Sequence, residues 1–176
     1  MTQPHRAASS FGAITLLFAL SGCTESEGTR DYAVPNSACG TAIDADALSS
    51  FLPAGKKITT EETSRTSDST KCAISVDGKL IIQIAQEWWN NMSILDFSRG
   101  MTLDDPDQHS EDGLYSYSGY QAFSKVEGCR SSEHADQVLF AAIQAPGSDH
   151  RDSTAMQQLI TEYTQEIEKS PACDQN

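Results

Sequence analysis

The order of apolar and polar residues along the chain predicts an apolar leader, a short polar connection and one folded region. The run from Phe11 to Leu20 is largely apolar and ten residues long. A helix that crosses a bilayer needs about 20 such residues, so the run predicts the core of a signal peptide rather than a permanent span. Residues 24–33 show no apolar periodicity and predict a flexible tether that reaches roughly 16–19 Å.

Apolar residues at helical spacing predict a helix near each end of the folded region. In the segment from Ile43 to Leu52, Asp44 is placed as the N-cap, and Pro53 follows the last apolar position. The segment from Ser153 to Pro171 carries the clearest helical pattern in the chain. Its apolar positions are Met156, Leu159, Ile160, Tyr163 and Ile167.

Alternating and β-branched residues between these helices predict strands joined by turns. The predicted elements are a strand at Lys57–Thr63, a hairpin at Cys72–Ile84, strands near Tyr120–Arg130 and Gln137–Ala145, and a short helix around Ser93–Ser98. The segment Ser110–Gly119 is predicted to be irregular. This order indicates an α+β fold, an antiparallel sheet with an N-terminal and a C-terminal helix packed against it.

The hairpin is predicted to turn at Asp77-Gly78, and the apolar pattern bears on the length of its loop. A two-residue turn would pair Ile74 with Ile81 and split the apolar residues between the two faces of the sheet. A three-residue loop, Val76-Asp77-Gly78, avoids this split. It predicts that Ile74 pairs with Leu80, that Cys72 pairs with Ile82, and that Cys72, Ile74, Leu80, Ile82 and Ile84 share one buried face.

The charge of the chain excludes one class of partner. There are 25 Asp and Glu against 12 Lys and Arg, for a formal net charge of −13. Affinity for phosphate backbones comes mainly from Lys and Arg, and no basic cluster is larger than Lys56-Lys57. We therefore predict no nucleic-acid partner, and an anionic lipid surface would repel the folded domain.

The four residues after Ala19 resemble the lipid-attachment box of bacterial lipoproteins. They are Leu20-Ser21-Gly22-Cys23, a large aliphatic residue and two small residues before a cysteine. The resemblance implies that residues 1–22 are removed as a signal peptide and that Cys23 carries a diacylglyceryl group with palmitate-type chains. More than one acyl chain gives stable attachment, here to the extracytoplasmic face of the cell membrane. The alternative is ordinary cleavage after Ser21, which would leave a secreted protein.

The cysteine count agrees with lipidation, because the chain has five cysteines and an even number remains when Cys23 is set aside. An exported chain folds in oxidising surroundings, where the other four can form two disulfides. We favour the pairs Cys39 with Cys72 and Cys129 with Cys173, since each bond would join a terminal segment to the sheet. The other two pairings stay open.

The chain as a whole resembles the small lipoproteins of unknown function that actinobacteria encode in numbers. The residues that carry this resemblance are Val34-Pro35, Cys39-Gly40, Leu52-Pro53-Ala54-Gly55-Lys56, Cys72, Val76-Asp77-Gly78, Glu87-Trp88-Trp89, Tyr163 and Cys173. The resemblance implies a location and a disulfide framework. With the pattern of the chain, it predicts a signal peptide at 1–22, a lipidated cysteine and tether at 23–34, and one globular domain at 35–176.

The aromatic residues are the best indication of a binding site. A ligand platform for an envelope glycan or a peptide is predicted at Trp88, Trp89, Tyr115, Tyr117 and Tyr120, which lie near amides, serines and glycines. Neighbours on a strand point to opposite faces, so only one of the two tryptophans is expected to be exposed. The alternative, core or edge packing of these rings, is favoured over the platform.

Other candidate chemistry has simpler explanations. The acidic run from Asp104 to Asp112 departs from the calcium-loop pattern because Ser110 occupies the position that needs glycine. The histidines after the leader, His109, His134 and His150, have no zinc spacing. The Ser148-Asp149-His150 group is explained as a polar turn, so no catalytic residue, metal or cofactor is assigned.

These observations together predict a membrane-anchored extracytoplasmic lipoprotein with a binding or interaction role. An envelope hydrolase is the first alternative, and a deep pocket with polar groups around His109, His134 or His150 would favour it. A structural or sensing lipoprotein is the second alternative, and a smooth acidic surface without a cleft would favour that.

Overall fold

A computed structural model of the chain describes residues 28–101 and 105–173. The predicted signal peptide and Cys23 lie outside these ranges, as does Asp104 at the start of the acidic run. No helix in the described ranges is both long enough and apolar enough to cross a membrane.

The centre of the fold is an antiparallel sheet of seven strands. The strands in chain order are β3 (Ile58–Arg65), β4 (Ser69–Val76), β5 (Lys79–Asn90), β6 (Gln108–His109), β7 (Tyr115–Tyr117), β8 (Gln121–Val126) and β9 (Gln137–Gln144). Their order across the sheet is β3-β4-β5-β9-β8-β7-β6. Two short strands, β1 (Ser37–Ala38) and β2 (Thr41–Ala42), pair separately. The antiparallel sheet is therefore confirmed, although β7 overturns the predicted irregularity of Ser110–Gly119.

Three α-helices accompany the sheet: α1 (Ala45–Ser49), α2 (Ile94–Met101) and α3 (Ser153–Glu168). The C-terminal helix is confirmed, and the five apolar positions predicted for it are buried. Asp152 caps α3 by accepting a hydrogen bond from Ala155 N. The N-terminal helix is shorter than predicted, since α1 covers five residues and contacts α3.

The loop length predicted for the β4–β5 hairpin is wrong. Asp77 and Gly78 form a two-residue turn with φ of 50° and 80°, and Val76 pairs with Lys79. Ser75 then pairs with Leu80 but Ile74 pairs with Ile82, so Ile81 is an extra residue in β5. This β-bulge restores the alternation that the sequence argument achieved with a longer loop. The buried positions of the hairpin are Cys72, Ile74, Val76, Ile81, Ile82 and Ile84, whereas Leu80 is half-buried.

Both faces of the central strands are covered, whereas packing on one side was predicted at the hairpin. The larger core lies between the sheet and α3, and we call this side the α3 face. On the other side, the α2 face, a smaller core joins Ala85, Ile94, Phe97, Phe123, Phe140 and Ala142. The core on the α2 face begins at Ala85, beyond the hairpin turn.

The predicted tether extends too far into the chain. Arg30 donates from Nη2 to the carbonyl oxygens of Ser49 and Leu52, at 3.0 and 2.6 Å. Asp31 N donates to Gly55 O at 2.8 Å. Residues 29–32 are thus attached to the folded domain beside α1, and only residues before them can act as a tether.

The predicted disulfide pairing is confirmed. Cys39 bonds Cys72 across 33 residues, and Cys129 bonds Cys173 across 44 residues, with Cα–Cα distances of 5.7 and 4.9 Å. Both distances fall in the normal range for disulfides. The first bond attaches the β1–β2 turn to β4, and the second attaches the segment after α3 to the end of β8.

Candidate functional site

A polar cleft of about 520 Å³ opens on the α3 face, where β4 begins and β5 approaches its end. Its volume is in the range of pockets that hold small ligands. Eight serines and threonines line it: Thr41, Thr66, Ser67, Ser69, Thr70, Ser131, Ser132 and Ser170. We call it the Gln86 cleft, after the amide side chain that lines its inner part.

Both disulfides border the Gln86 cleft. Cys39 lies in its lining together with Gly40, and the bond to Cys72 holds this turn against β4. On the opposite side the lining includes Ser131–His134 and Ser170–Ala172, two segments that directly follow Cys129 and precede Cys173. The walls are therefore covalently attached to the sheet and to each other, which favours a preformed cavity.

Gln86 is buried, with 7% of its surface exposed, on the strand face that otherwise presents Ile84 and Trp88 to the core. Its Nε2 donates to Thr41 Oγ1 at 3.0 Å and to the Tyr163 hydroxyl at 2.8 Å. Both amide hydrogens are thus used, and this fixes the orientation of the side chain. Its Oε1 accepts no hydrogen bond from any residue in the described ranges, and it is not among their fully buried unpartnered atoms, so it is open to the cleft.

Tyr163 supports Gln86 from α3. The tyrosine is fully buried, and its hydroxyl donates to Ala38 O at 3.3 Å while it accepts from Gln86. Burial raises the pKa of Tyr163 to about 12, and the hydrogen bonds from Gln86 and Thr41 only partly oppose this shift. The phenol therefore stays neutral over the physiological range, and it acts as a fixed hydrogen-bonding support.

The one arginine that lines the Gln86 cleft is already paired. Arg65 forms an ion pair with Glu62, and its Nε lies 3.0 Å from each Glu62 carboxylate oxygen. This hydrogen bonding lowers the pKa of the Glu62 carboxyl. The Arg65 Nη1 also donates to Thr70 Oγ1 at 3.2 Å, and Thr70 is the cross-strand partner of Gln86. The cleft rim consequently has little uncompensated positive charge.

Trp88 and His134 close one side of the Gln86 cleft. Their rings are stacked, with centroids 4.5 Å apart and planes 10° from parallel. His134 Nδ1 lies 2.7 Å from Gln137 Oε1, and only 8% of the residue is exposed. The face of Trp88 is therefore covered by the imidazole, and the indole does not offer an open stacking surface.

The five aromatic residues predicted as one platform do not form one. Trp88 lies on the α3 face, whereas Trp89 is on the α2 face with 46% of its surface exposed. Tyr115 and Tyr117 lie on β7, three strands away from β5, so about 14 Å of sheet separates them from the tryptophans. Tyr120 packs under Arg151 in the turn before β8. The prediction that one tryptophan is core and one is exposed is correct.

The exposed tryptophan belongs to a separate group of side chains. Trp89 Nε1 donates to Glu87 Oε2 at 2.8 Å, and Lys71 Nζ lies 2.7 Å from Glu87 Oε1. Glu87 is buried, with 5% of its surface exposed. Its charge is thus compensated from both sides, which is the condition for keeping a carboxylate inside a fold.

The histidines considered in the sequence are dispersed. His134 lines the Gln86 cleft, His109 lies on β6 with its Nδ1 3.1 Å from Ser116 Oγ, and His150 is exposed in the loop before α3. Ser148 bonds within that loop, to the His150 backbone. Across residues 28–101 and 105–173, no group of three or more His, Cys, Asp or Glu side chains is arranged to hold a metal ion.

Most residues that line the cleft, Gln86 above all, were not identified from the sequence, although Trp88 and His134 were named there as candidates. A signal was present: Ile82, Ile84, Gln86 and Trp88 alternate on one face of β5, and an amide interrupts the apolar series. A polar residue at an inward position must find partners or face a cavity. The positions of Arg65 and His134 carried no such signal, because they reach the cleft from distant segments.

Comparison of the chain with protein-family models, with curated proteins and with solved structures finds no match. The function of the site is therefore argued from its geometry.

Proposed function

We propose that this protein is a lipid-anchored extracytoplasmic binding protein whose ligand occupies the Gln86 cleft. One observation carries the binding role: a preformed polar cavity is lined by Gln86, whose amide hydrogens are both committed and whose carbonyl oxygen Oε1 has no partner among the described residues and is open to the cleft. An acceptor that is fixed in position and open to a cavity can accept a hydrogen bond from a ligand. A cavity of this kind also disfavours the structural or sensing alternative, which called for a smooth surface.

The proposed location is supported by the Leu20-Ser21-Gly22-Cys23 box and by two disulfides, which persist in oxidising compartments. The strong negative charge would keep the domain from lying on an anionic bilayer.

The position of the cleft relative to the start of the described chain fits an anchored binding protein. Thr29 and Asp31 bond to Gly55, and Gly55 lies against Val76 at the hairpin end of β4. The Gln86 cleft is at the other end of β4, at Ser69. The seven residue steps between these ends span about 24 Å at about 3.4 Å per residue. An anchor at Cys23 would therefore connect to the domain near the end of β4 that lies farther from the cleft.

The anchor is tested by mass spectrometry of the membrane fraction. We expect an N-terminal peptide that begins at Cys23 and carries the mass of a diacylglyceryl group, and we expect Cys23→Ala to release the protein from membranes. An unmodified peptide that begins at Gly22 or Cys23 would contradict the lipid attachment.

The binding role is tested by blocking the cleft. Ser67 is exposed at the cleft mouth, so Ser67→Trp should obstruct entry without disturbing the core; Ser64→Trp, on the exposed part of β3 outside the cleft, is the matched control. A low-molecular-weight extract of the cell envelope should raise the melting temperature of the wild type and of Ser64→Trp, but not of Ser67→Trp. An equal rise in all three proteins would place binding elsewhere.

An envelope hydrolase is the second candidate, because the pocket that would favour it does include His134. With Nδ1 engaged by Gln137, the free ring nitrogen for general-base chemistry would be Nε2. The purified protein is assayed against ester and cell-wall substrates with His134→Asn beside it. Turnover that disappears in the variant would establish the enzyme and replace the binding proposal.

A further inference from the structure

We propose that the ligand of the Gln86 cleft is a neutral polyhydroxylated molecule of saccharide type, held by hydrogen bonds to Gln86 and Thr70 rather than by stacking on an aromatic ring. This inference rests on the proposed binding function. It follows from the hydrogen-bonding groups of the residues that line the cleft, from their charges and from the covered face of their one indole ring.

An acceptor that is open to the cleft and a donor lie side by side. Gln86 Oε1 needs a hydrogen-bond donor, because the amide hydrogens are committed to Thr41 and Tyr163. Thr70 is directly opposite Gln86 on β4, and its Oγ1 accepts from Arg65, which leaves its own hydrogen without an acceptor among the described residues. Side chains of directly opposed residues are about 5 Å apart. A sugar can place one hydroxyl on each of them, because every hydroxyl both donates and accepts.

The charges in the Gln86 cleft argue against an anionic ligand. Arg65 is held by Glu62 through its Nε and Nη2 groups, and Glu133 adds a negative charge to the lining. The whole chain carries a net charge of −13. An anion would meet a repulsive field, and the one arginine among the lining residues is already paired.

The aromatic surface argues against a ligand that needs ring contact. His134 covers the face of Trp88, so a cation or an aromatic side chain of a peptide would find no open ring in the cleft. The lining instead contains eight serines and threonines. Short hydroxyl groups around a buried amide match a ligand that presents many hydroxyls over one or two sugar rings, a size that about 520 Å³ accommodates.

The test uses the full lipidated chain in phospholipid vesicles, free of sugar-based detergent. Binding is followed by intrinsic tryptophan fluorescence and by calorimetry. The probes are neutral disaccharides of glucose and of N-acetylglucosamine, a uronic-acid disaccharide, and trialanine. We expect saturable binding of at least one neutral disaccharide, and weaker or undetectable binding of the uronic acid and the peptide.

Two variants and a control assign the binding to the predicted groups. Gln86→Leu removes this acceptor and should weaken affinity by about tenfold or more. Thr70→Val keeps the shape of the side chain, removes one hydrogen bond and should weaken affinity by about threefold to tenfold. Thr60→Val, an exposed threonine of β3 outside the cleft, should leave affinity unchanged. Thr70→Val also keeps the test valid if Gln86→Leu folds poorly.

Three results would overturn the saccharide assignment. The first is tighter binding of the uronic acid than of every neutral sugar, which would give Arg65 the main role. The second is binding of trialanine alone. The third is no binding of any neutral disaccharide at millimolar concentration. In each case the Ser67→Trp experiment with envelope extract reports separately whether the cleft binds a ligand at all.

Discussion

The two faces of the central sheet are covered by cores that differ in size and in the polar side chains they contain. The α3 face buries a large apolar core and includes hydrogen-bonded polar side chains within it, Gln86 with Tyr163 and Ser124 with Thr164. The α2 face is covered by one helix of eight residues over a small aromatic cluster, and Trp89 remains exposed beside it. The comparison shows why the cleft lies on the α3 face: there, a long helix and two disulfides hold polar groups rigidly enough to stay buried.

The first test of this difference concerns the Cys129–Cys173 disulfide at the cleft wall, where a large loss of stability is expected. Replacing Cys129 and Cys173 by alanine should lower the free energy of unfolding by about 4 kcal/mol, as the chain-entropy model gives for a loop of 44 residues. Guanidinium unfolding without reductant measures the loss. A loss below about 1 kcal/mol would mean that α3 holds this wall without the disulfide.

The adjacent tryptophans compare the faces with one substitution. Trp88→Ala, on the α3 face, should destabilise the fold by about 3–5 kcal/mol, because it empties a buried site under His134. Trp89→Ala should lower the free energy of unfolding by about 1 kcal/mol, since 46% of the surface of Trp89 is already exposed. Urea unfolding followed by circular dichroism gives both values. Equal losses would remove the distinction between the faces.

The buried phenol of Tyr163, on the α3 face, predicts that the free energy of unfolding depends on pH. Burial raises the pKa of Tyr163 to about 12 in the folded protein, against the ordinary tyrosine pKa of 10.0 in the unfolded chain. Both states are protonated below pH 10, and between pH 10 and 12 the unfolded chain ionises first. The free energy of unfolding should therefore fall as pH rises through this window, by about 2–3 kcal/mol.

Tyr163→Phe is the control for that dependence. Its stability should change less between pH 10 and 12 than the stability of the wild type, because the other tyrosines titrate in both proteins. If the two proteins show the same slope in this window, Tyr163 ionises normally and its burial is incomplete.

The smallest expected effect tests the second polar contact of the α3 face. Thr164 Oγ1 donates to one of two acceptors, Ser124 Oγ at 2.6 Å or Ile160 O at 2.7 Å. Thr164→Val keeps the volume and should cost about 1 kcal/mol. Double-mutant analysis with Ser124→Ala checks the pairing; additive losses would show that the two side chains do not depend on each other.

Much of the scaffold could be predicted because its signals are local or periodic. The apolar face of α3, the Asp152 cap beside it and the turn at Asp77-Gly78 depend on residues within a few positions of each other. The length of that turn could not be predicted, because the bulge at Ile81 compensates for it through pairing with β4. When both strands are assumed to be regular, the predicted pairing of β4 with β5 leaves out the extra residue Ile81.

Gln86 is the part of the candidate site whose role the sequence could indicate. Gln86 could have been noticed as an amide in an apolar series, whereas Arg65, Thr70 and His134 reach the cleft by strand pairing and by the return of the chain after β8. The aromatic platform failed for the same reason. Residues near each other in sequence were separated by the alternation of β5 and by the sheet order that places β9 and β8 between β5 and β7.

The sequence by itself determined the apolar run from Phe11 to Leu20 with the adjoining Leu20-Ser21-Gly22-Cys23 pattern, the cysteine count, the C-terminal helix and the position of the hairpin, because each is a local pattern or a matter of composition. The tertiary structure decided which tryptophan is buried, where the chain joins the domain at Arg30, and that a polar cleft opens at Gln86. These three features depend on contacts between segments that are tens of residues apart in the chain. Such contacts form only when the sheet, α3 and both disulfides are assembled together.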